Sequence, residues 1–327
     1  MDILIFLLVI FGLLGALFYL VGSYFVKYAL VPNMGAENRV IENSPAEIGP
    51  QTPISVDAKI RKNFDKARTA RDQWMQTVQF EKQEVSIQSY DGLTLVGHAI
   101  LNEVPTDKWM VAVHGYQSNE RESTLIAHQF YEAGYNVLTY ELRAHGKSAG
   151  RYIGMGYLDK DDLVAWTNAL VAKYPDSRVF FHGTSMGGAT VLFASGLQLP
   201  DNVKGIISDC AYTRIWDIFA SELKKRFNLG KFPVMYMAQG MAILKAGYNI
   251  RQGDVEEYVS KSTLPTLFIH SKADDFIPVS MVFELYDAKL NGVKEMYITE
   301  NGAHGEAKFV EPKEYYNRVI SFAEKYI

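Results

Sequence analysis

The longest apolar run stands at the start of the chain. Ile3 to Val26 is 24 residues without a charge. As a helix it would reach roughly 36 Å, enough to cross a bilayer core of about 30 Å with some tilt. No polar face interrupts it, which argues against a core helix of a globular domain. A cleaved signal peptide would carry a basic start, a shorter apolar stretch and a small-x-small site. Here Asp2 stands at the start, the run is long, and no clear A-x-A follows. The pattern predicts an uncleaved single-pass anchor over residues 1–26, meeting membrane lipid through residues 3–26.

After the anchor the pattern changes twice. Residues 27–55 hold Pro32, Pro45, Pro50 and Pro53 among small and polar residues and read as a linker or an extended wrap. Ile60, Phe64, Ala67, Trp74 and Val78 then recur at helical spacing, so 27–80 reads as linker plus amphipathic helix. The other face of that helix carries Lys59, Arg61, Lys62, Lys66, Arg68 and Arg71; a solvated face is preferred over contact with anionic lipid.

From residue 81 onward strands and helices alternate. Apolar, β-rich runs predict strands at 83–89, 93–101, 109–114, 136–141, 178–182, 204–208, 265–270 and 294–299. Asp91-Gly92 between the first two is a hairpin signal. Helices are expected near 122–133, 158–173, 186–197, 279–289 and 312–326. The later strands are short and continuously apolar, as a mostly parallel sheet covered on both faces requires. More than fifty residues separate the strands at 204–208 and 265–270, too many for a simple crossover. Residues 212–248 read as helical, an inserted cap over about 212–262. Its Trp216, Phe219, Phe227, Phe232, Met235, Tyr236, Met237 and Met241 are expected mostly as the cap's own small core, with two or three touching substrate.

Composition narrows the function. The net charge of −4 leaves no nucleic-acid footprint. The single cysteine, Cys210, excludes an intramolecular disulfide and a Cys-based zinc site. The chain has no H-E-x-x-H and no P-loop, and Gly154-Met155-Gly156 lacks the third glycine of a dinucleotide fingerprint. Neither a metal nor an organic cofactor is implied. Lys27 and Arg39 follow the apolar run with nothing basic before it, so the positive-inside rule favours a cytoplasmic domain.

The chemistry centres on His182-Gly183-Thr184-Ser185-Met186-Gly187-Gly188, a G-x-S-x-G elbow with a predicted strand before it and a helix after. Larger side chains at Gly183 or Gly187 would crowd the neighbouring backbone. A serine hydroxyl needs a base within reach, and the base needs an orienting acid. Two carboxylates, Asp274 and Asp275, lie in a turn after the strand at 265–270.

Four segments in order resemble the α/β-hydrolase superfamily: Val111-Ala112-Val113-His114-Gly115-Tyr116, Glu141-Leu142-Arg143-Ala144-His145-Gly146-Lys147-Ser148, the elbow, and His270-Ser271-Lys272-Ala273-Asp274-Asp275-Phe276-Ile277-Pro278. The resemblance covers roughly residues 83–327 and implies an α/β-hydrolase fold with an inserted helical cap, the domain spanning 81–327. In that family the acid follows the serine and the histidine comes last. Of the two histidines after Ser185, His270 precedes the acid, whereas His304 lies in the Gly-flanked loop Asn301-Gly302-Ala303-His304-Gly305. The resemblance implies Ser185, His304 and Asp274 as catalytic residues, with Asp209 as the fallback acid. It implies backbone N–H groups of Tyr116 and Met186 as the oxyanion hole, and structural roles for His114, His182 and the Arg143 segment. Three departures stand out: Ser271 and Ala144 where glycine is usual, and Glu141 where aspartate is. Ser271 is expected to affect turn geometry, and the other two the path of their loop.

With its N-terminal span, the chain resembles bacterial membrane-anchored, cell-surface hydrolases related to serine aminopeptidase-like and esterase-like enzymes. That resemblance favours a domain outside the cell membrane, against the charge rule. The reading is a serine hydrolase acting on a small acyl ester, a carboxylesterase. A peptidase or amidase of the serine aminopeptidase type, taking short peptides, is the near alternative. An acyltransferase and a non-catalytic binding protein are the others.

Overall fold

The structure, a computed structural model, describes residues 2–32, 57–78 and 82–327. Pro45, Pro50, Pro53 and Arg39 lie outside the described residues. The chain runs α1 (Asp2–Leu30), α2 (Ala58–Thr77), β1 (Lys82–Gln88), β2 (Thr94–Ile100), β3 (Lys108–Val113), α3 (Glu120–Glu132), β4 (Asn136–Tyr140), α4 (Asp159–Lys173), β5 (Arg178–Thr184), α5 (Met186–Ser195) and β6 (Val203–Asp209). It continues through α6 (Ile215–Phe227), α7 (Val234–Ala246), α8 (Val255–Lys261), β7 (Thr266–Ser271), α9 (Ser280–Ala288), β8 (Lys294–Thr299), α10 (Ala307–Val310) and α11 (Pro312–Tyr326). All eight expected strands form. The short helices α8 and α10 were not expected; four to seven residues are too few to show a period.

The described residues divide into two compact units. The larger holds 57–78, 82–213 and 254–327. Its sheet has the order β1-β2-β4-β3-β5-β6-β7-β8. β1 and β2 pair antiparallel, as do β2 and β4; every later pairing is parallel. This mostly parallel sheet with helices on both sides is the α/β class the sequence implies. The central strands β3, β4 and β5 are buried almost throughout, which is why they read as continuous apolar runs. On one face Met110, Ala112, Phe180, Ile207 and Ile269 pack under α3 and α11 through Ile126, Phe130, Val319 and Phe322. Trp74 of α2 and Val78 just after it join that cluster, while Ile60 and Phe64 pack with Leu125 and Phe309. One expected surface cation is buried: Arg71 is fully enclosed, paired with Asp72 at 2.7 Å and donating to the Arg121 carbonyl at 2.8 Å.

The segment after β4 locks the hairpin to the parallel sheet. Buried Arg143 donates twice to Asp162, at 2.7 and 2.8 Å, and twice to Asp91 of the hairpin turn, at 2.9 and 3.5 Å. Ser148 Oγ donates to the Glu141 carbonyl and accepts from Val96 N. Ala144 sits at φ +61°, the left-handed conformation glycine would take.

The smaller unit holds residues 2–32 and Arg214–Gly253. Here α1 is longer than its apolar run and continues to Leu30. Ile3 to Leu17 is almost wholly exposed, whereas Val26 and Leu30 are buried. Phe25 and Tyr28 stack edge-on against Phe227, at 5.2 and 5.3 Å. Gly22 and Gly240 let α1 and α7 approach: a Cβ on Gly22 would fall 2.4 Å from the Met237 carbonyl, and one on Gly240 2.8 Å from Phe18. Part of the insertion's aromatic and methionine content therefore packs on α1.

A left-handed non-glycine residue costs about 1–2 kcal/mol, and glycine's extra unfolded-state entropy returns about 0.5–1. Ala144→Gly is therefore expected to raise unfolding stability by about 0.5–1 kcal/mol, read as a higher denaturation midpoint. A loss of stability would contradict the strain at this position.

Candidate active site

The site is built on the crossing of β5 into α5. Ser185 occupies φ +59°, ψ −119°, a conformation an L residue adopts only when its surroundings fix it. Its N–H donates to the Asp209 carbonyl at the end of β6, at 2.8 Å. The glycines make room for this. A Cβ on Gly183 would fall 2.0 Å from the Gly187 carbonyl oxygen, and one on Gly187 would fall 2.2 Å from that of Val113. The turn therefore presses against the end of β3, whose next residues are His114, Gly115 and Tyr116. Ser185 is left 8% exposed, on the wall of a cavity of about 120 Å³.

Ser185, Asp274 and His304 converge although they are far apart in sequence. His304 Nε2 lies 2.7 Å from Ser185 Oγ, and His304 Nδ1 lies 2.7 Å from Asp274 Oδ2. The second contact puts the ring proton on Nδ1 and leaves Nε2 free to accept from the hydroxyl. Asp274 is buried, and its Oδ1 accepts from Phe276 N and Ile277 N at 2.9 and 2.8 Å. Burial alone would raise its pKa. Hydrogen bonds from His270 and His304 outweigh burial and hold it well below the usual carboxylate range. His270, set aside in the sequence for its position, thus acts on the acid: its Nε2 is 3.3 Å from Asp274 Oδ2 and 3.0 Å from the Ile277 carbonyl. The i,i+4 spacing of His270 and Asp274 was the available signal.

Asp209 does not take the place of Asp274. Its carboxylate is buried and accepts from the Tyr315 hydroxyl at 2.9 Å, and burial raises its pKa. Because that hydroxyl donates to Asp209, it accepts from His182 Nε2 at 3.0 Å, and burial pushes His182 down to about 3. His182 is therefore a neutral structural donor. Asp275 is exposed.

Two more histidines hold the loop after β3. His114 Nδ1 donates to the Gly115 carbonyl at 2.8 Å and its Nε2 accepts from Leu142 N at 3.0 Å. His145 Nδ1 donates to the Arg143 carbonyl at 2.9 Å and its Nε2 accepts from Gln117 N at 3.2 Å. Tyr116 lines the cavity beside Ser185 and His304. Met186 is the first residue of α5, where a helix N–H has no acceptor within the helix.

The His304 loop is pinned at both ends. Glu306 Oε2 accepts from Ala303 N at 2.8 Å. Ser271, the departure from glycine, bonds Thr299 Oγ1 through its own Oγ at 2.8 Å, and Thr299 Oγ1 contacts the Asn301 carbonyl at 3.0 Å. The serine thus ties the acid-bearing turn to the histidine-bearing loop, a job its position in the motif did not announce. The cavity is otherwise apolar through Phe64, Ile126, Phe276 and Phe309, with Glu122, Glu306 and Lys308 as charged members. Phe64 and Glu122 were missed because α2 and α3 reach the site only through packing.

Cys210, Asp274 and His304 place one donor atom each within 4.8 Å of one another. Burial raises the Cys210 thiol far above its usual pKa, and Asp274 and His304 already spend these atoms on each other and on Ser185. The set fits a hydrogen-bond relay better than a metal site.

The chain is similar to known hydrolases. A family model described as serine aminopeptidase, S33, matches residues 104–239. The uncharacterized protein YqkD of Bacillus subtilis (strain 168) is 34% identical over 227 residues, 69% of this chain and 74% of its own. Among solved structures, an esterase from Pyrococcus furiosus superposes with a TM-score of 0.64 at 24% identity, over 77% of this chain and 95% of that one. An acylaminoacyl peptidase from Pyrococcus horikoshii superposes with a TM-score of 0.54 at 21% identity, over 74% of this chain and 40% of that one.

A carboxyl depressed by folding contributes stability that is complete above its unfolded pKa, near 4, and is lost as pH falls below that value. Asp274→Asn is therefore expected to lower the melting temperature at pH 7, with the gap to the unsubstituted protein narrowing as pH falls below about 4. A gap that widens on acidification would contradict the hydrogen-bonded, ionised Asp274.

Proposed function

Because the chain belongs to the α/β-hydrolase superfamily, we propose that it is a serine hydrolase that cleaves small carboxylic esters through an acyl-enzyme on Ser185. The observation that carries this reading is the pair of 2.7 Å contacts linking Ser185, His304 and Asp274. Ser185 Oγ attacks the ester carbonyl while His304 Nε2 takes its proton. Asp274 holds the imidazole in the tautomer that accepts and stabilises the imidazolium that results. Backbone N–H groups of Tyr116 and Met186 receive the oxyanion, at a loop end and a helix start. The tetrahedral species collapses, His304 protonates the leaving alkoxide, and the acyl group stays on Ser185. Water then attacks with His304 as base and releases the acid. The small apolar cavity supports a modest acyl group.

One observation favours a second reading. Glu122 lines the same cavity, and a carboxylate near the nucleophile would hold the ammonium of an aminoacyl or short peptide substrate. The same Ser185 chemistry would then cleave an amide.

We also read α1 as an uncleaved single-pass membrane anchor, with the hydrolase domain outside the cell as the resemblance to cell-surface hydrolases implies. The contacts of Gly22 with Met237 and of Phe25 with Phe227 support retention, since cleavage after the apolar run would remove that packing.

Fluorophosphonate labelling tests the nucleophile: the protein should label and Ser185→Ala should not, and equal labelling of both would contradict the assignment. Among p-nitrophenyl esters kcat/KM should peak at short acyl chains. Glu122→Gln should leave these esters nearly unchanged; a loss of about tenfold or more on aminoacyl anilides, as for a lost charged hydrogen bond, would select the peptidase reading.

A further inference from the structure

We infer that α7 docks on the bilayer that α1 enters, so that the insertion is a membrane-contacting unit with a preference for anionic lipid. The inference rests on the anchor reading of α1. Taken as a helix from Ile3, about 20 residues span a 30 Å core, which ends the span near Gly22. Tyr19, Tyr24, Lys27 and Tyr28 then lie at the depth where aromatic and basic side chains mark a membrane interface.

Helix α7 meets α1 at that depth and runs antiparallel to it. Met237 lies at Gly22, Gly240 at Phe18, and the Lys245 ammonium over the Tyr19 ring at 4.6 Å. Glycines at the contact are how helices approach closely in lipid. From Met237 to Leu244 is about 10 Å of helix, directed towards the exposed apolar part of α1. α7 also leaves apolar side chains uncovered: Leu244 is 71% exposed, and Ile243 and Tyr236 are exposed too. Phe232, just before the helix, is 80% exposed. The depth matches the 5–10 Å to which interfacial helices bury their apolar faces.

Charge supplies an independent argument. Residues 214–253 carry seven Lys and Arg against two Asp and Glu, a net of +5 in a chain whose total is −4. The excess sits on the segment that packs against the anchor. A cationic surface with protruding aromatic and aliphatic side chains fits an anionic phospholipid surface. In water the same side chains would form an exposed apolar patch.

The test uses the full chain in phosphatidylcholine vesicles with and without phosphatidylglycerol, labelled with an environment-sensitive fluorophore at Phe232→Cys, Leu244→Cys, Leu8→Cys or Asp176→Cys. Native Cys210 is buried, and the unsubstituted protein gives the labelling background. Quenching by lipids brominated on their acyl chains should be strong at 8 and 244, intermediate at 232 and absent at 176. Phosphatidylglycerol should strengthen it at 232 and 244, and salt should reverse that gain. Quenching at 8 with none at 244 would overturn the docking of α7 and leave the anchor standing. Loss at both positions would overturn the two together. Disulfide-linked dimers through position 244, with no quenching there, would show a second copy of the chain in place of lipid.

Discussion

The site depends on how closely three backbones approach at one serine. β5 ends against β3 and β6, and the turn into α5 passes within contact of the Val113 and Asp209 carbonyls. No side chain fits at Gly183 or Gly187, and Ser185 is forced to a positive φ. That conformation is unfavourable in isolation and persists because the sheet around it is buried and fully paired. What the strain gives in return is placement. The hydroxyl projects from a rigid element, beside the start of a helix and opposite the loops after β7 and β8. Those two loops bring Asp274 and His304, and Ser271 bonds Thr299 between them.

The chemistry around that point runs on histidines in different states. His114 and His145 are each held through both ring nitrogens, and burial keeps His182 neutral. Each stiffens a turn next to Ser185. His270 and His304 instead converge on Asp274 and help keep it ionised. Five imidazoles thus lie close together with distinct duties, and only His304 is in contact with the serine hydroxyl.

Much of this was legible in the sequence, for physical reasons that differ by element. Strands buried on both faces must be apolar, so β3 to β7 announce themselves. The elbow needs its glycines, so Ser185 is marked by its neighbours rather than by itself. Asp274 and His304 are marked by turn context and chain order. What stayed hidden is what tertiary packing decides. Arg71 reads as a surface cation and is enclosed. Ser271 reads as a changed turn residue and instead ends β7, its hydroxyl bonding Thr299 at the end of β8. Glu122 and Phe64 reach the cavity only because α2 and α3 pack beside it, and the pairing of α1 with α7 has no local signature in either segment. The division into two units belongs to the same class, because contacts between residues some two hundred positions apart define the smaller one.

The central claim is that Ser185 carries the acyl group during turnover. Intact-protein and peptide mass spectrometry on enzyme quenched in acid during turnover of a slowly deacylating ester tests this most directly. The account predicts a mass increase equal to the acyl group, located on the peptide containing Ser185 and missing from Ser185→Ala. Turnover by Ser185→Ala at an undiminished rate, or an acyl group carried only on another residue such as Cys210, would contradict it.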